Sequence, residues 1–149
     1  MDTQAHGGTA TCVTRASGSV TRREYRVAGL SEPISHYTDA VQAGEMLFVS
    51  GCLPVDGEGR LVGNGDVVVQ ARQVFRNIGA VLGAAGAGFD EVTKVTVYLV
   101  DIEDRARINP VRQEVFGDTR PASTLIEVSR LALEGARLEV ECVAQVPTV

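Results

Sequence analysis

Side chains able to carry acid–base or metal chemistry are scarce in this chain of 149 residues. His6 and His36 are the only histidines, so a multi-histidine metal centre is excluded within one chain. A Ser-His-Asp or Cys-His arrangement would have to use His36 as its base. Neither a GxxxxGKS/T phosphate loop nor a GxGxxG dinucleotide motif occurs. The sequence therefore lacks most of the common catalytic and cofactor-binding motifs.

The cysteines indicate neither a metal site nor a disulfide framework. Cys12, Cys52 and Cys142 are odd in number and widely spaced, without a CxxC pair. The first residues lack the basic and apolar regions of a secretory signal, and no apolar run of about 18 residues could span a membrane. We therefore expect a cytoplasmic protein without a membrane partner.

The charge balance argues against a nucleic-acid partner. The net charge is −5, whereas phosphate binding normally needs a basic face. Arginines do cluster at positions 15, 22, 23 and 26, but only Tyr25 supplies an aromatic ring among them. We interpret this cluster as part of a solvated N-terminal arm.

The segment RPASTLIEVS, residues 120–129, is the most unusual stretch that could line a binding site. The turn signal Arg120-Pro121 leads directly into an apolar, β-branched run typical of a strand. Ser123 is small and polar. Strand geometry places residues three apart on opposite faces, so Arg120 and Ser123 share a cleft only if the turn at Pro121 redirects Arg120.

The elements that must position these residues alternate in type. Residues 1–22 are rich in Gly, Ser, Thr and Ala, and we expect a flexible extension there, followed by one domain over residues 23–149. Strands are predicted at 23–29 and, joined by a tight turn at 43–45, within 36–51. Apolar spacings of three and four then predict a helix that starts at the N-cap Asp66 and stops at Gly86 or Gly88.

The second half of the chain predicts three further strands and one helix. Alternating patterns mark strands at 94–101, 123–129 and 136–147. In the helical region 101–116, Asn109-Pro110 suits an N-cap followed by the first helical position. The order β-β-β-α-β-α-β-β is α+β, and we expect two helices on one face of a mixed sheet.

Seven motifs in this order resemble the RidA/YjgF family of reactive-intermediate imine deaminases, over about residues 24–147. They are ISHYTDAV, MLFVSGCLPVD, QARQVFRNIGAVLGAAG, VTKVTVYLVDIED, INPVRQEVF, RPASTLIEV and RLEVECVA. The resemblance implies a chorismate-mutase-like fold and a homotrimer whose sheets meet in a barrel-like centre. It also implies small-molecule ligands in clefts between neighbouring subunits.

The same resemblance implies an activity and a set of site residues. Active members hydrolyse small imines or enamines such as 2-aminoacrylate, without a cofactor or metal. An arginine fork holds the substrate carboxylate, and a carboxylate on the last strand positions water. By motif position, Tyr37, Gly51 and Asn109 fall at binding positions, and Glu139 falls at the water-positioning carboxylate.

One position departs from the family pattern. The substrate-binding arginine belongs two residues after the proline of RPA, where this chain has Ser123. A hydroxyl is a weak donor in place of a bidentate cation. We therefore expect the protein to have altered specificity and to act on a small imine, enamine or aminomuconate-like compound. Arg120 is a candidate replacement for the missing arginine.

Plainer interpretations stay open for each candidate. Glu139 could be a solvated strand carboxylate, Tyr37 a packed ring, Cys52 a buried apolar group and His36 a loop residue. At the level of function, the alternative is a non-catalytic trimer that binds a small metabolite or regulates a partner. Endoribonuclease activity, described for some relatives, fits the acidic charge least.

Overall fold

The computed structural model describes residues 9–18 and 20–147, which form one seven-stranded mixed sheet and two α-helices. The strands lie in the order β1-β2-β3-β4-β7-β5-β6, and only β5 and β6 pair in parallel. The elements are β1 (Ala10–Ser17), β2 (Val20–Val27), β3 (Ala40–Ala43), β4 (Met46–Cys52), α1 (Val67–Ala84), β5 (Val92–Leu99), α2 (Asp104–Phe116), β6 (Ala122–Glu127) and β7 (Leu138–Gln145). This is the predicted α+β class.

The core lies between the helices and one face of the sheet. On β7 the alternate residues Leu138, Val140, Cys142 and Ala144 are buried, while the residues between them are partly exposed. Burying one large aliphatic side chain contributes about 1.5–3 kcal/mol, so this alternation fixes which face of β7 meets the helices. Every side chain between them, Glu139 included, must therefore point to the opposite face.

Helix α1 begins and ends close to the predicted positions. The Asp66 carboxylate accepts hydrogen bonds from the backbone N–H groups of Val68 and Val69 at 3.0 and 3.2 Å. This satisfies two amides that the first helical turn leaves unpaired. After Ala84, Gly86 adopts a positive φ of 76°, which glycine tolerates and which ends the helix.

The predicted start of α2 at Asn109-Pro110 is wrong. The helix begins at Asp104, six residues before Pro110, which lies in its interior. The missing N–H of Pro110 removes one helical hydrogen bond. The early start is stabilised by Asp104, whose side chain is 4% exposed and accepts from Arg137 Nη2 at 2.8 Å and Nε at 2.9 Å. Tertiary pairing therefore outweighs the local proline signal.

A hairpin adds one strand to the predicted order. Residues 10–17 pair antiparallel with β2, with Ala10 opposite Val27, although the sequence predicts a flexible segment there. The β-branched residues Thr11, Val13 and Thr14 favour a strand, and Gly18 turns the chain with a φ of 64°. Because Val13 is 46% exposed, side-chain burial contributes little to holding β1 in place. Its backbone hydrogen bonds to β2 do so instead. Residues 1–8 of the predicted extension lie outside the described residues.

The face of the sheet opposite the helices is uncovered in the single chain. We call it the open face, defined by Phe48, Tyr98, Ile126, Glu139 and Val143. Phe48 is 50% exposed and pairs with Val143, and Ile126 is 40% exposed beside Tyr98. Exposed large apolar side chains on an uncovered sheet face commonly mark an interaction surface.

Candidate functional site

The Glu139 side chain lies against the backbone of Gly51. The register of the β4–β7 pairing shifts between Val49 and Cys52, which brings Gly51 under the Glu139 carboxylate. A methyl group at Gly51 would overlap a Glu139 carboxylate oxygen. Glycine is therefore required here for the close approach of the carboxylate. Two residues from distant motifs are thus brought together.

Burial raises the pKa of Glu139 above its ordinary value, and the nearby Glu141 carboxylate raises it further. Glu141 itself accepts a hydrogen bond from the Tyr98 hydroxyl at 2.7 Å, which fixes this neighbouring charge. A carboxyl group with a raised pKa exchanges protons closer to neutral pH than an ordinary one. Glu139 therefore has the electrostatic character of a general acid or base.

Tyr37 and Gly51 line a cavity of about 100 Å³. Asn77 lines its floor and donates to the carbonyl oxygens of Leu53 and Val55 at 3.2 and 3.0 Å, which holds the loop after β4 in place. Tyr37 is 47% exposed, so its ring is not packed in the core of the single chain. Gly51 borders this cavity and also contacts Glu139, whose own side chain does not line it.

The remaining nucleophile and base candidates are poorly placed for chemistry. The Cys52 thiol donates to the Ser50 carbonyl oxygen at 3.6 Å, and burial raises its pKa well above the ordinary value. Burial also raises the pKa of Cys142 to about 12. Neither thiol is activated as a nucleophile. His36 is exposed and is absent from the residues that line the Tyr37 cavity.

Asn109, Arg120 and Ser123 line a second, open cleft of about 520 Å³, which we call the arginine cleft. Arg112 of α2 also lines it and donates from Nη2 to Ser123 Oγ at 2.7 Å. Arg112 is not among the site residues predicted from the sequence. Its spacing of three from Asn109 was the available signal, because residues three apart share a helix face once α2 is known to start at Asp104.

Ser123 and Glu139 lie on opposite faces of the sheet. Ser123 pairs with the buried Val95 and meets helix α2, so it faces the helices. Glu139 pairs with Tyr98 on the open face. Within one chain, Gly51 shares a cavity with Tyr37 and contacts Glu139, while Asn109, Arg120 and Ser123 line the arginine cleft.

Two further properties concern the described residues only. Between residues 9 and 147, residue 19 excepted, no cluster of three or more His, Cys, Asp or Glu side chains could hold a metal ion. Over that same part of the chain, no helix is long and apolar enough to cross a membrane.

Comparison with known proteins confirms the resemblance. The family described as Endoribonuclease L-PSP matches residues 29–146. The RutC family protein PH0854 of Pyrococcus horikoshii is 43% identical over 113 residues, covering 76% of this chain and 89% of that protein. The 2-iminobutanoate/2-iminopropanoate deaminase of Capra hircus is 38% identical over 127 residues, covering 85% and 91%.

The fold is shared with solved structures as well. The crystal structure of E. coli TdcF with bound serine matches with a TM-score of 0.72 at 32% sequence identity, covering 78% of this chain and 92% of TdcF. The matched family region includes every candidate site residue from Tyr37 to Glu139. The chain therefore belongs to the RidA/YjgF family, the family described as Endoribonuclease L-PSP.

Proposed function

We propose that this protein is a cofactor-free hydrolase that converts small carboxylate-bearing imines or enamines to 2-keto acids and ammonia, as a cytoplasmic homotrimer. The observation that carries the proposal is the Glu139 carboxylate, which has a raised pKa and lies directly on the backbone of Gly51. The 38% identity to a protein named 2-iminobutanoate/2-iminopropanoate deaminase supports this substrate class.

The proposed reaction uses Glu139 as a proton shuttle. The ionised carboxylate accepts a proton from water while the water oxygen bonds to the imine carbon and the C=N π electrons move to nitrogen. The carboxylic acid then gives that proton to the nitrogen. The carboxylate then takes the hydroxyl proton of the intermediate and passes it to the amino nitrogen as the C–N bond breaks, so that ammonia leaves and the hydroxyl oxygen becomes the keto oxygen. The cycle regenerates the carboxylate.

The homotrimer is supported by the division of the candidate residues. Glu139 and Ser123 face opposite sides of one sheet, so a single site containing both needs residues from a second copy. The apolar open face around Phe48 offers a surface that such a copy would bury. We propose that Tyr37, Gly51 and Glu139 of one subunit meet the arginine cleft of its neighbour.

Ser123 is proposed to alter specificity within this class. It stands at the position where the family has its carboxylate-binding arginine, and a hydroxyl cannot make the two parallel charge-assisted bonds of a guanidinium. Any carboxylate recognition must then come from other residues of the arginine cleft, which include Arg120.

The test is turnover of 2-aminoacrylate, 2-iminobutanoate and 2-aminomuconate by the purified protein. We expect keto acid and ammonia to form faster than in buffer from at least one of them. Glu139→Gln should abolish the excess rate, while Glu134→Gln, at an exposed loop carboxylate, should leave it unchanged. No excess rate with any of the three would refute the proposal. Saturable binding of serine without turnover would then favour the binding-protein alternative.

A further inference from the structure

We infer that Arg112 of helix α2 is the carboxylate-binding residue of this protein, and that Ser123 positions its guanidinium in the arginine cleft. The inference deepens the proposed function and rests on it for the identity of the substrate. The family places the guanidinium on the strand at position 123. In this chain the guanidinium would come from the adjacent helix, and the residue at 123 would hold it.

The contact between the two side chains carries the argument. Arg112 Nη2 donates to Ser123 Oγ at 2.7 Å, so the guanidinium lies directly above position 123. A guanidinium has several N–H donors in one plane, and Ser123 accepts from only one of them. The cleft lies beside this group and has a volume of about 520 Å³, enough for a small carboxylic acid. The remaining donors are therefore available to a ligand.

The charge of Arg112 has no partner within the described part of the chain. Among residues 9–18 and 20–147, no carboxylate oxygen lies within 4.0 Å of its guanidinium, whereas on the same helix Arg107 pairs with Asp104. Partial burial also lowers the pKa of Arg112, because desolvation disfavours its charge. Arginine nevertheless stays protonated. A partly desolvated cation without a counter-charge favours binding of an anion.

The surrounding residues suit a carboxylate more than a polyanion. Asn109 lies on the same face of α2, and its amide offers neutral donors and acceptors. Arg120 also lines the cleft and is more exposed than Arg112. Together these residues fit a small organic acid whose carboxylate meets Arg112, with room beside it for a short side chain.

The first experiment measures binding of the product 2-oxobutanoate by calorimetry, with 2-oxobutanamide as the uncharged control. We expect Arg112→Gln to weaken 2-oxobutanoate binding by about 10- to 100-fold, the loss of one charge-assisted interaction. Arg112→Lys should retain part of the affinity. Arg105→Gln removes the same charge from an exposed site of α2 outside the cleft and should change nothing. Equal affinities of Arg112→Gln and the unmodified protein would overturn the inference.

A second set of variants tests the positioning role of Ser123. Ser123→Ala should weaken binding by a few-fold because it removes one neutral hydrogen bond to Arg112, and Ser123→Thr should restore it. The exchange Arg112→Ser with Ser123→Arg should recover binding that Arg112→Ser alone loses, since it returns the guanidinium to the family position. Failure of both rescues in folded protein would contradict the positioning role.

The binding assay separates this inference from the proposed function. One outcome is that the protein hydrolyses imines while Arg112→Gln has the same KM and 2-oxobutanoate affinity as the unmodified protein. In that case the proposed function stands and the assignment of Arg112 fails. If no imine is hydrolysed but 2-oxobutanoate binding depends on Arg112, the carboxylate site stands and the proposed reaction fails.

Discussion

At the scale of a single residue, a substitution of Gly51 tests the placement of the Glu139 carboxylate. A methyl group there would overlap the carboxylate, which can move aside because it ends a flexible side chain. Gly51→Ala should therefore lower kcat by about 100-fold, as small misplacements of catalytic groups do, with little change in stability. Thermal unfolding and steady-state kinetics check both expectations.

The matched control is Gly83→Ala on α1. No atom lies within 4 Å of a Cβ built at Gly83, so the added methyl is accommodated. Alanine favours the helix by about 1 kcal/mol, so this variant should be more stable and fully active. Full activity of Gly51→Ala would contradict the role assigned to the Gly51–Glu139 contact.

Glu139 also predicts a pH dependence of stability. Its folded-state pKa is raised by burial and by Glu141, above the ordinary glutamate value of about 4.3. The protonated Glu139 contributes fully to folding stability while the pH is below the ordinary glutamate pKa. This contribution is lost as the pH rises through the raised folded-state pKa. Glu139→Gln stays neutral and avoids that loss. The melting temperature of Glu139→Gln should therefore exceed that of the unmodified protein at pH 8 and approach it at pH 4.

Residue-level inference from the sequence succeeded where a contact follows from strand patterns, and failed where it depends on a helix start. Alternation along β7 predicted that Glu139 faces away from the core, and the structure places it there, against Gly51. Arg112 was missed because placing the start of α2 at Asn109 obscured the helix face that Asn109 and Arg112 share.

At the scale of elements, the ion pair between Asp104 and Arg137 holds the first turn of α2 against the start of β7. Both contacts of Arg137 are made by one oxygen of an almost fully buried carboxylate. Asp104→Asn should lower the free energy of unfolding by about 3 kcal/mol, the low end for breaking a buried pair, since the Arg137 side chain is 31% exposed.

Urea unfolding at one fixed protein concentration measures this loss. Asp118→Asn, at an exposed carboxylate in the loop after α2, serves as the control and should unfold at the unmodified midpoint. Equal midpoints for Asp104→Asn and Asp118→Asn would contradict the stabilising role of the pair.

Element prediction depended on whether local signals agreed with tertiary contacts. The apolar stripe and N-cap of α1 are local, and both were predicted correctly. The start of α2 was not, because its first residue Asp104 pairs with Arg137, which lies 33 residues later, just before β7. The presence of β1 was not, because its order comes from backbone pairing with β2. Arg137 cannot be recognised as the partner of Asp104 from the sequence around either residue.

The whole molecule is predicted to act as a trimer through the open face. Phe48→Asp places a charge where we propose that subunits meet, so the protein should dissociate to monomers and lose its activity. Val69→Asp changes a comparably exposed residue in the first turn of α1 and should stay trimeric. Light scattering coupled to gel filtration gives the masses, and an unchanged mass for Phe48→Asp would contradict this assembly.

The central claim is that Glu139 catalyses hydrolysis of a small imine without a cofactor. The most direct measurement is the rate of 2-oxobutanoate formation from freshly generated 2-iminobutanoate, with chelator-treated protein, the Glu139→Gln variant and buffer side by side. The account predicts a rate above buffer that scales with protein concentration and falls to the buffer rate in Glu139→Gln. Equal rates in all three samples, or full activity of Glu139→Gln, would contradict it.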